Sequence, residues 1–395
     1  PDGRHVYVAG GNEKALAVFA RDANTGMLTF VQVLRDGIAG VEGLIAPSAI
    51  AASPDGSSVY VAAFTSNALA VFTRDRSSGA LTFTQVVAYT VGIIDGLRGA
   101  SGVVVSPDGA HVYATGQVDN AVAVFSRDPI SGTLQYVEVQ RDGINGVDGL
   151  ATASGVAISA DGQDVYATGF GGDAVAVFRR DSTSGTLTFV EVQRNLVGGV
   201  TGLAGPSDVA VSNDGAHVYV TGTTGNALAV FGRDPGTGRL NFIEAETQGV
   251  GGIDGLTAAV SVAVSPDGAS VYVAGSQDNA VAVFAGPQPP TPTPTTTATA
   301  TATETITDTT TPSATATETP TATPSPTPGP CIGDCDGNGR ITVEELVKGV
   351  NIALALLPLD QCPSFDFDHD THVSVDELVK AVNAALNGCV TAASF

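Results

Sequence analysis

The sequence predicts an all-β propeller followed by a small α-helical domain, and three observations predict it. First, the triplet Pro1-Asp2-Gly3 recurs every 53 residues, as Pro54-Asp55-Gly56, Pro107-Asp108-Gly109, Ala160-Asp161-Gly162, Asn213-Asp214-Gly215 and Pro266-Asp267-Gly268, with no insertion between copies. A constant period of this size means one supersecondary unit copied in tandem, each copy burying its apolar face on the next. Second, each copy contains runs of β-branched and aromatic residues of strand length, separated by Asp-Gly and Ser-Gly turn signals. Third, no segment before residue 340 has a helical period.

One repeat shows the elements in order. Val103-Val104-Val105 is strand a, ended by the turn Pro107-Asp108-Gly109. Val112-Tyr113-Ala114-Thr115 is strand b, Ala121-Val122-Ala123-Val124-Phe125 strand c, and Leu134-Gln135-Tyr136-Val137-Glu138-Val139 strand d. Glycine supplies positive φ at the turns, and Asp bonds its own backbone there. Four antiparallel strands repeated about a centre form a propeller blade, with strand a innermost. Six repeats are visible over residues 1–285. The first lacks strand a and the last lacks strand d, so the chain is read as N-terminally truncated, with six or seven blades when whole.

The runs Ser-Pro-Asp-Gly-x-x-Val-Tyr-Val-Ala, Asn-Ala-Leu-Ala-Val-Phe-x-Arg-Asp and Thr-Gly-x-Leu-Thr-Phe resemble the lactonase-like (YVTN-type) β-propeller family over residues 1 to 285. The resemblance implies the fold, and it implies sugar-lactone hydrolysis as one activity among those the family carries.

Composition narrows the partners. Forty acidic residues face seventeen basic ones, a net charge of −23. Such a surface argues against nucleic acid and against anionic membranes, and no stretch is long and apolar enough to span a bilayer. Residues 286–330 change abruptly to Pro, Thr, Ala and Ser. A segment of that kind cannot bury a core and acts as a semi-rigid spacer. Its Thr and Pro also suit O-glycosylation, and the chain is expected to be secreted or cell-surface.

Two calcium loops are expected in residues 331–395. The first runs Asp334, Asp336 and Asn338 at loop positions 1, 3 and 5, Gly339 at 6, the Arg340 carbonyl at 7 and Glu345 at 12. That fills the twelve-residue EF-hand pattern. The second places Asp366, Asp368 and Asp370 at 1, 3 and 5, His372 at 7 and Glu377 at 12, but has Thr371 where Gly is usual. A β-branched residue resists positive φ, so this site is expected to be the weaker one. Thr342 with Glu345, and Ser374 with Glu377, have capping-box spacing at the start of a helix. Leu346, Val347, Val350 and Leu354 form an apolar stripe, with Leu378, Val379, Val382 and Leu386 as its twin. A duplicated loop–helix unit without a first entering helix resembles the dockerin family. That resemblance implies calcium as cofactor and a cohesin-like protein partner. The Glu at position 12 and four cysteines depart from most cellulosomal dockerins. Cys331, Cys335, Cys362 and Cys389 read as two disulfides of unassigned pairing, with a zinc site the weaker alternative.

Within the propeller, a catalytic site requires residues that break the repeat. His5, His111 and His217 share one place in the a–b turn and read as solvated turn residues. The b–c tips vary most, and on the same face the d–a loops carry Glu42, Asp95, Asp148 and Asp254 at multiples of the period. These four are the candidates for binding a cation or cationic ligand. The reading is a binding scaffold without a catalytic set, facing a carbohydrate or cell-surface ligand and joined to a calcium-dependent docking module. The alternative is a sugar-lactone hydrolase, 6-phosphogluconolactonase-like, or another carbohydrate-related enzyme on the same module.

Overall fold

The computed structural model describes residues 2–286, 332–335, 341–354, 357–366 and 371–387. They fall in two units, 1–297 and 298–395. The linker, together with Cys331, Asp336, Asn338, Arg340, Asp368, Asp370 and Cys389, lies outside the described residues or, for the linker, almost wholly so.

The first unit is a succession of six antiparallel sheets. In the fourth repeat strand a is Ala153–Ile158, b Asp164–Gly169, c Ala174–Arg180 and d Leu187–Arg194, paired in chain order. The first sheet has strands b, c and d, and the sixth has a, b and c. A bulge between strands c and d recurs in every described c–d pair, as between Val177 and Phe178, so each sheet twists alike. Strand a of each interior repeat packs on strand a of the next, which places the a strands innermost.

The apolar runs become the layers between blades. Each repeat from the second to the fourth buries a Tyr on strand b and a Phe on strand c, such as Tyr113 and Phe125, both at 0% exposure. Burial on that scale contributes about 2 kcal/mol per side chain. The strand c Phe also meets an aromatic on strand d edge to face, as in Phe178–Phe189 with centroids 5.7 Å apart. In the sixth repeat the face that carries the Tyr is open: Tyr272, Val281 and Val283 are 41%, 62% and 60% exposed.

A polar latch joins successive repeats beside these layers. An Arg at the end of strand c reaches back to the repeat before. Arg180 donates to Tyr113 Oη (2.8 Å), Asp108 Oδ2 (2.6 Å), His111 Nδ1 (2.7 Å) and the Gly162 carbonyl (3.0 Å). Tyr113 in turn donates to the Gly185 carbonyl (2.9 Å). Arg74, Arg127 and Arg233 repeat the arrangement with small changes of partner. This corrects the reading of the histidines as solvated turn residues. His111 is buried and begins strand b, and desolvation, then the nearby Arg180, depresses its pKa, so it serves as a neutral acceptor.

The second unit holds helices α1 (Val343–Ala353) and α2 (Val375–Asn387). The capping box at α1 is complete: Thr342 Oγ1 accepts from the Glu345 amide, and Glu345 Oε2 accepts from the Thr342 amide. Ser374 and Glu377 do the same for α2. A disulfide joins Cys335 to Cys362, packed with Phe365, Ile352 and Ala381. The helical stripes divide. Leu346 and Leu378 pack on this core, while Val347, Val350, Val379 and Val382 are exposed.

Candidate active site

The a strands surround a cavity of about 500 Å³. Its wall is built from one recurring pair of positions. The first is Ser48, Ser101, Ser154 and Ser207 in successive repeats; the second is Ala49, Gly102, Gly155, Asp208 and Ser261. Ser48, Ser101 and Ser207 donate to backbone carbonyls of the following repeat, for example Ser48 Oγ to Ala100 O at 2.9 Å. That use of the proton leaves oxygen lone pairs to accept from a hydroxylated ligand.

Asp208 breaks the series. It is the one ionisable side chain in the described lining of this cavity. Its Oδ2 accepts from Ser261 Oγ (2.8 Å) and from the Val262 amide (3.1 Å), and its Oδ1 from the Val209 amide (2.9 Å). Burial raises its pKa above the ordinary carboxylate value, against the lowering effect of those three bonds. Neighbouring Gly155 makes room for it: a Cβ there would lie 2.7 Å from the Asp208 Cα. The repeat-breaking group stands in strand a, in the column Ala49, Gly102, Gly155, Asp208 and Ser261, rather than in the turns and loops.

The four loop carboxylates do not line this cavity. Asp95 pairs with Arg141 at 2.7 Å, and Asp148 with Arg194. Asp254 accepts from Gln248 Nε2 at 2.7 Å and from the Gly255 amide, while Glu42 is exposed. The d–a loops and b–c tips do share a face, as the Phe64 amide bonds the Ala46 carbonyl and Arg98 pairs with buried Asp119.

In the second unit the structure brings the ends of the first expected loop together. Glu345 Oε1 accepts from the Cys335 amide (2.8 Å), which sets the position-12 carboxylate beside Asp334 in sequence. Glu345, Asp366 and Glu377 are all buried. Thr371 does adopt positive φ, +73°, with its amide on Asp366 Oδ2. His372 is exposed. Among the described residues no group of three or more potential ligands clusters.

A model of the family described as lactonase, 7-bladed β-propeller, matches residues 1–138 and 103–254. No curated protein matches the chain. Among solved structures, the periplasmic gluconolactonase of Pseudomonas aeruginosa is 25% identical with TM-score 0.57, over 72% of this chain and 79% of that one. A Bacteroides uniformis protein described as a candidate 6-phosphogluconolactonase is 19% identical with TM-score 0.56, over 71% and 77%. A functionally unknown protein of Desulfotomaculum acetoxidans is 15% identical with TM-score 0.55, over 71% and 79%.

Proposed function

The chain belongs to the seven-bladed β-propeller lactonase family, and we propose that its channel hydrolyses sugar lactones with Asp208 as general base. The observation that carries the proposal is Asp208 itself, a repeat-breaking carboxyl with a raised pKa in a hydroxyl-lined cavity. Catalysis on one carbonyl needs an asymmetric group, and a repeat array supplies one only where a copy departs from the rest. A carboxylate of elevated pKa is also a stronger base than an exposed one.

The step balances as follows. Asp208 takes a proton from water while the water oxygen adds to the lactone carbonyl carbon. The tetrahedral intermediate collapses, the ring C–O bond breaks, and the proton passes from Asp208 to the leaving alkoxide, which becomes a hydroxyl. The serine oxygens of the wall accept from the sugar hydroxyls and fix the ring. The family match and the channel acid favour this reading over a scaffold without catalysis.

For the second unit the proposal is calcium binding and docking. Asp334, Glu345, Asp366, His372 and Glu377, with Asp336, Asn338, Arg340, Asp368 and Asp370, would supply the oxygens a hard cation takes. Glu345, Asp366 and Glu377 are buried at the loop positions where a hard cation takes carboxylate oxygens. The exposed valines of α1 and α2 would then form the docking face. The disulfide favours an oxidising, extracytoplasmic compartment.

The test is a pH-stat assay of the full chain against a panel of aldonolactones, phosphorylated and unphosphorylated. Turnover above spontaneous hydrolysis is expected, and its loss in Asp208→Asn. No turnover on any lactone overturns the hydrolase reading. Calcium calorimetry on the same chain, with Glu345→Gln and Glu377→Gln, should show each variant losing one site; an unchanged isotherm removes the calcium reading.

A further inference from the structure

Two phenylalanines stand at the channel mouth on alternate repeats. The residue after strand b is Phe64 in the second repeat and Phe170 in the fourth; Gly11, Gln117, Thr223 and Ser276 take the place in the others. From the second repeat to the sixth, its amide donates to the residue just before strand a of the same repeat, as Phe170 does to the Thr152 carbonyl at 3.1 Å. The two rings cross instead to the next repeat. A Cβ on Gly99 would lie 3.0 Å from Phe64 Cε2, and one on Gly205 3.2 Å from Phe170 Cε2, with Val118 and Thr224 crowding the same two places. Both glycines have positive φ, +66° and +57°, but so do Ala46, Thr152 and Ala258 at the equivalent positions, at +52° to +56°. The backbone therefore does not call for glycine there; the lack of room does. In this column glycine occurs only where the repeat before carries a phenylalanine.

Each phenylalanine is held by the next repeat and is still 37% exposed. Neither belongs to the wall of the channel cavity. Gly99 stands two residues before Ser101, and Gly205 two before Ser207, and both serines do line it, so the rings border its rim. Phe170 lies over Gly205, three residues before Asp208, which is about 10 Å of extended chain. One lactone ring held at Asp208 ends short of Phe170. A second sugar joined to it reaches the aromatic ring.

We propose that Phe170, with Phe64, stacks on a second sugar, so that the channel takes the lactone of a disaccharide or longer saccharide in preference to that of a single sugar. The inference rests on the hydrolase reading. A pyranose has apolar C–H faces and a rim of hydroxyls. The negative face of an aromatic ring suits the first, and the serine oxygens of the wall accept from the second. The cavity of about 500 Å³ is of the size that buries ligands larger than one sugar ring. A phosphorylated lactone suits the site less. Among the described residues the one ionisable side chain of the wall is an acid, Asp208, and Arg98 beside Gly99 is held by Asp119 at 2.7 Å.

Two measurements on the full chain test it. In a pH-stat assay, kcat/KM for cellobiono-1,5-lactone should exceed that for glucono-1,5-lactone by about tenfold. Phe170→Ala should bring the ratio to about one, and Phe170→Tyr, which keeps the ring, should preserve it. Titration calorimetry with cellobiose and glucose reads the stacking without turnover. Cellobiose should bind about tenfold more tightly than glucose and lose that margin in Phe170→Ala, with Phe64→Ala as an independent loss should the first variant disturb the fold. If no lactone is turned over and the cellobiose margin is still lost with the rings, the catalytic reading fails and the sugar site stands. Turnover that depends on Asp208 but is equal for the two lactones overturns the proposal and leaves the hydrolase reading intact. Cellobiose binding that is absent, or unchanged in both variants, overturns the proposal whatever the turnover.

Discussion

The fourth and fifth repeats share strand order, register and bulge, and they differ at both ends of the blade. At the inner end Gly155 faces the channel in one and Asp208 in the other. At the outer end Tyr166 donates to the Gly238 carbonyl beside Arg233, while Tyr219 Oη has no hydrogen-bond partner among the described residues. The lesson is that the state of a repeat depends on its successor. The His-x-Tyr motif of the fifth repeat matches that of the third, yet the residue that completes it belongs to the next copy. Near-identical units therefore differ in two ways, by a substitution within the repeat at Asp208 and by the change from Arg to Gly286 in the neighbour.

The sharpest way to break the comparison is to empty the fourth latch. Arg233→Ala strips Asp161 of its guanidinium and leaves fully buried Asp164 with Arg179 alone; removal of one partner of a buried pair costs about 3 to 5 kcal/mol, and the lower end is expected here because Arg179 remains. Urea unfolding of the full chain should show that loss in the propeller transition; a loss below about 1 kcal/mol means the latch is only a surface ion pair. Next in size is a paired substitution. Tyr166→Phe strands the Gly238 carbonyl and should cost about 1 to 3 kcal/mol, whereas Tyr219→Phe removes a hydroxyl with no hydrogen-bond partner among the described residues and should be neutral or stabilising. Equal costs at the two positions would mean that Tyr219 is satisfied in solution.

The smallest effect is in pH. Burial raises the pKa of Asp108, but bonds from Ser106, Ala110 and Arg180 outweigh it and hold the group at about 2, against 3.8 for the free residue. Because the folded value is the lower one, its stabilisation is present above 3.8 and is lost as pH falls through that value towards about 2. Asp108→Asn should flatten the acid limb of a melting curve measured between about pH 5 and pH 2, and an unchanged limb would mean that the Arg180 contact carries no linkage. Asp208 has the opposite sign. Its folded pKa is raised, so its contribution is greatest below 3.8 and declines as pH rises through the folded value.

The blades were legible because turn chemistry and strand alternation agree at every level in each copy. The residues that open the first repeat and close the sixth were placed on strands b and c, where the structure has them. The capping boxes at Thr342 and Ser374 were also readable, since their signal is local. The latch was not readable from one repeat, because Arg180 and Asp108 stand 72 residues apart. That distance hid why His111 is buried and made it look like a turn residue. Asp208 is hidden for another reason: function usually gathers in loops, and this acid sits within strand a. Lining up the repeats on their innermost strand exposes it, as lining up the ends of strand c exposes Gly286.

The pH dependence of lactone hydrolysis in the native chain and in Asp208→Asn tests the central claim most directly. With the spontaneous rate subtracted, kcat/KM of the native chain should rise through an apparent pKa above 3.8, the ordinary value for the residue, and then level off. Asp208→Asn should fold normally, lose about 10²- to 10⁴-fold in kcat/KM and lose the rising limb with it. A variant that keeps native kcat/KM and the native pH profile would contradict the assignment of Asp208 as the base.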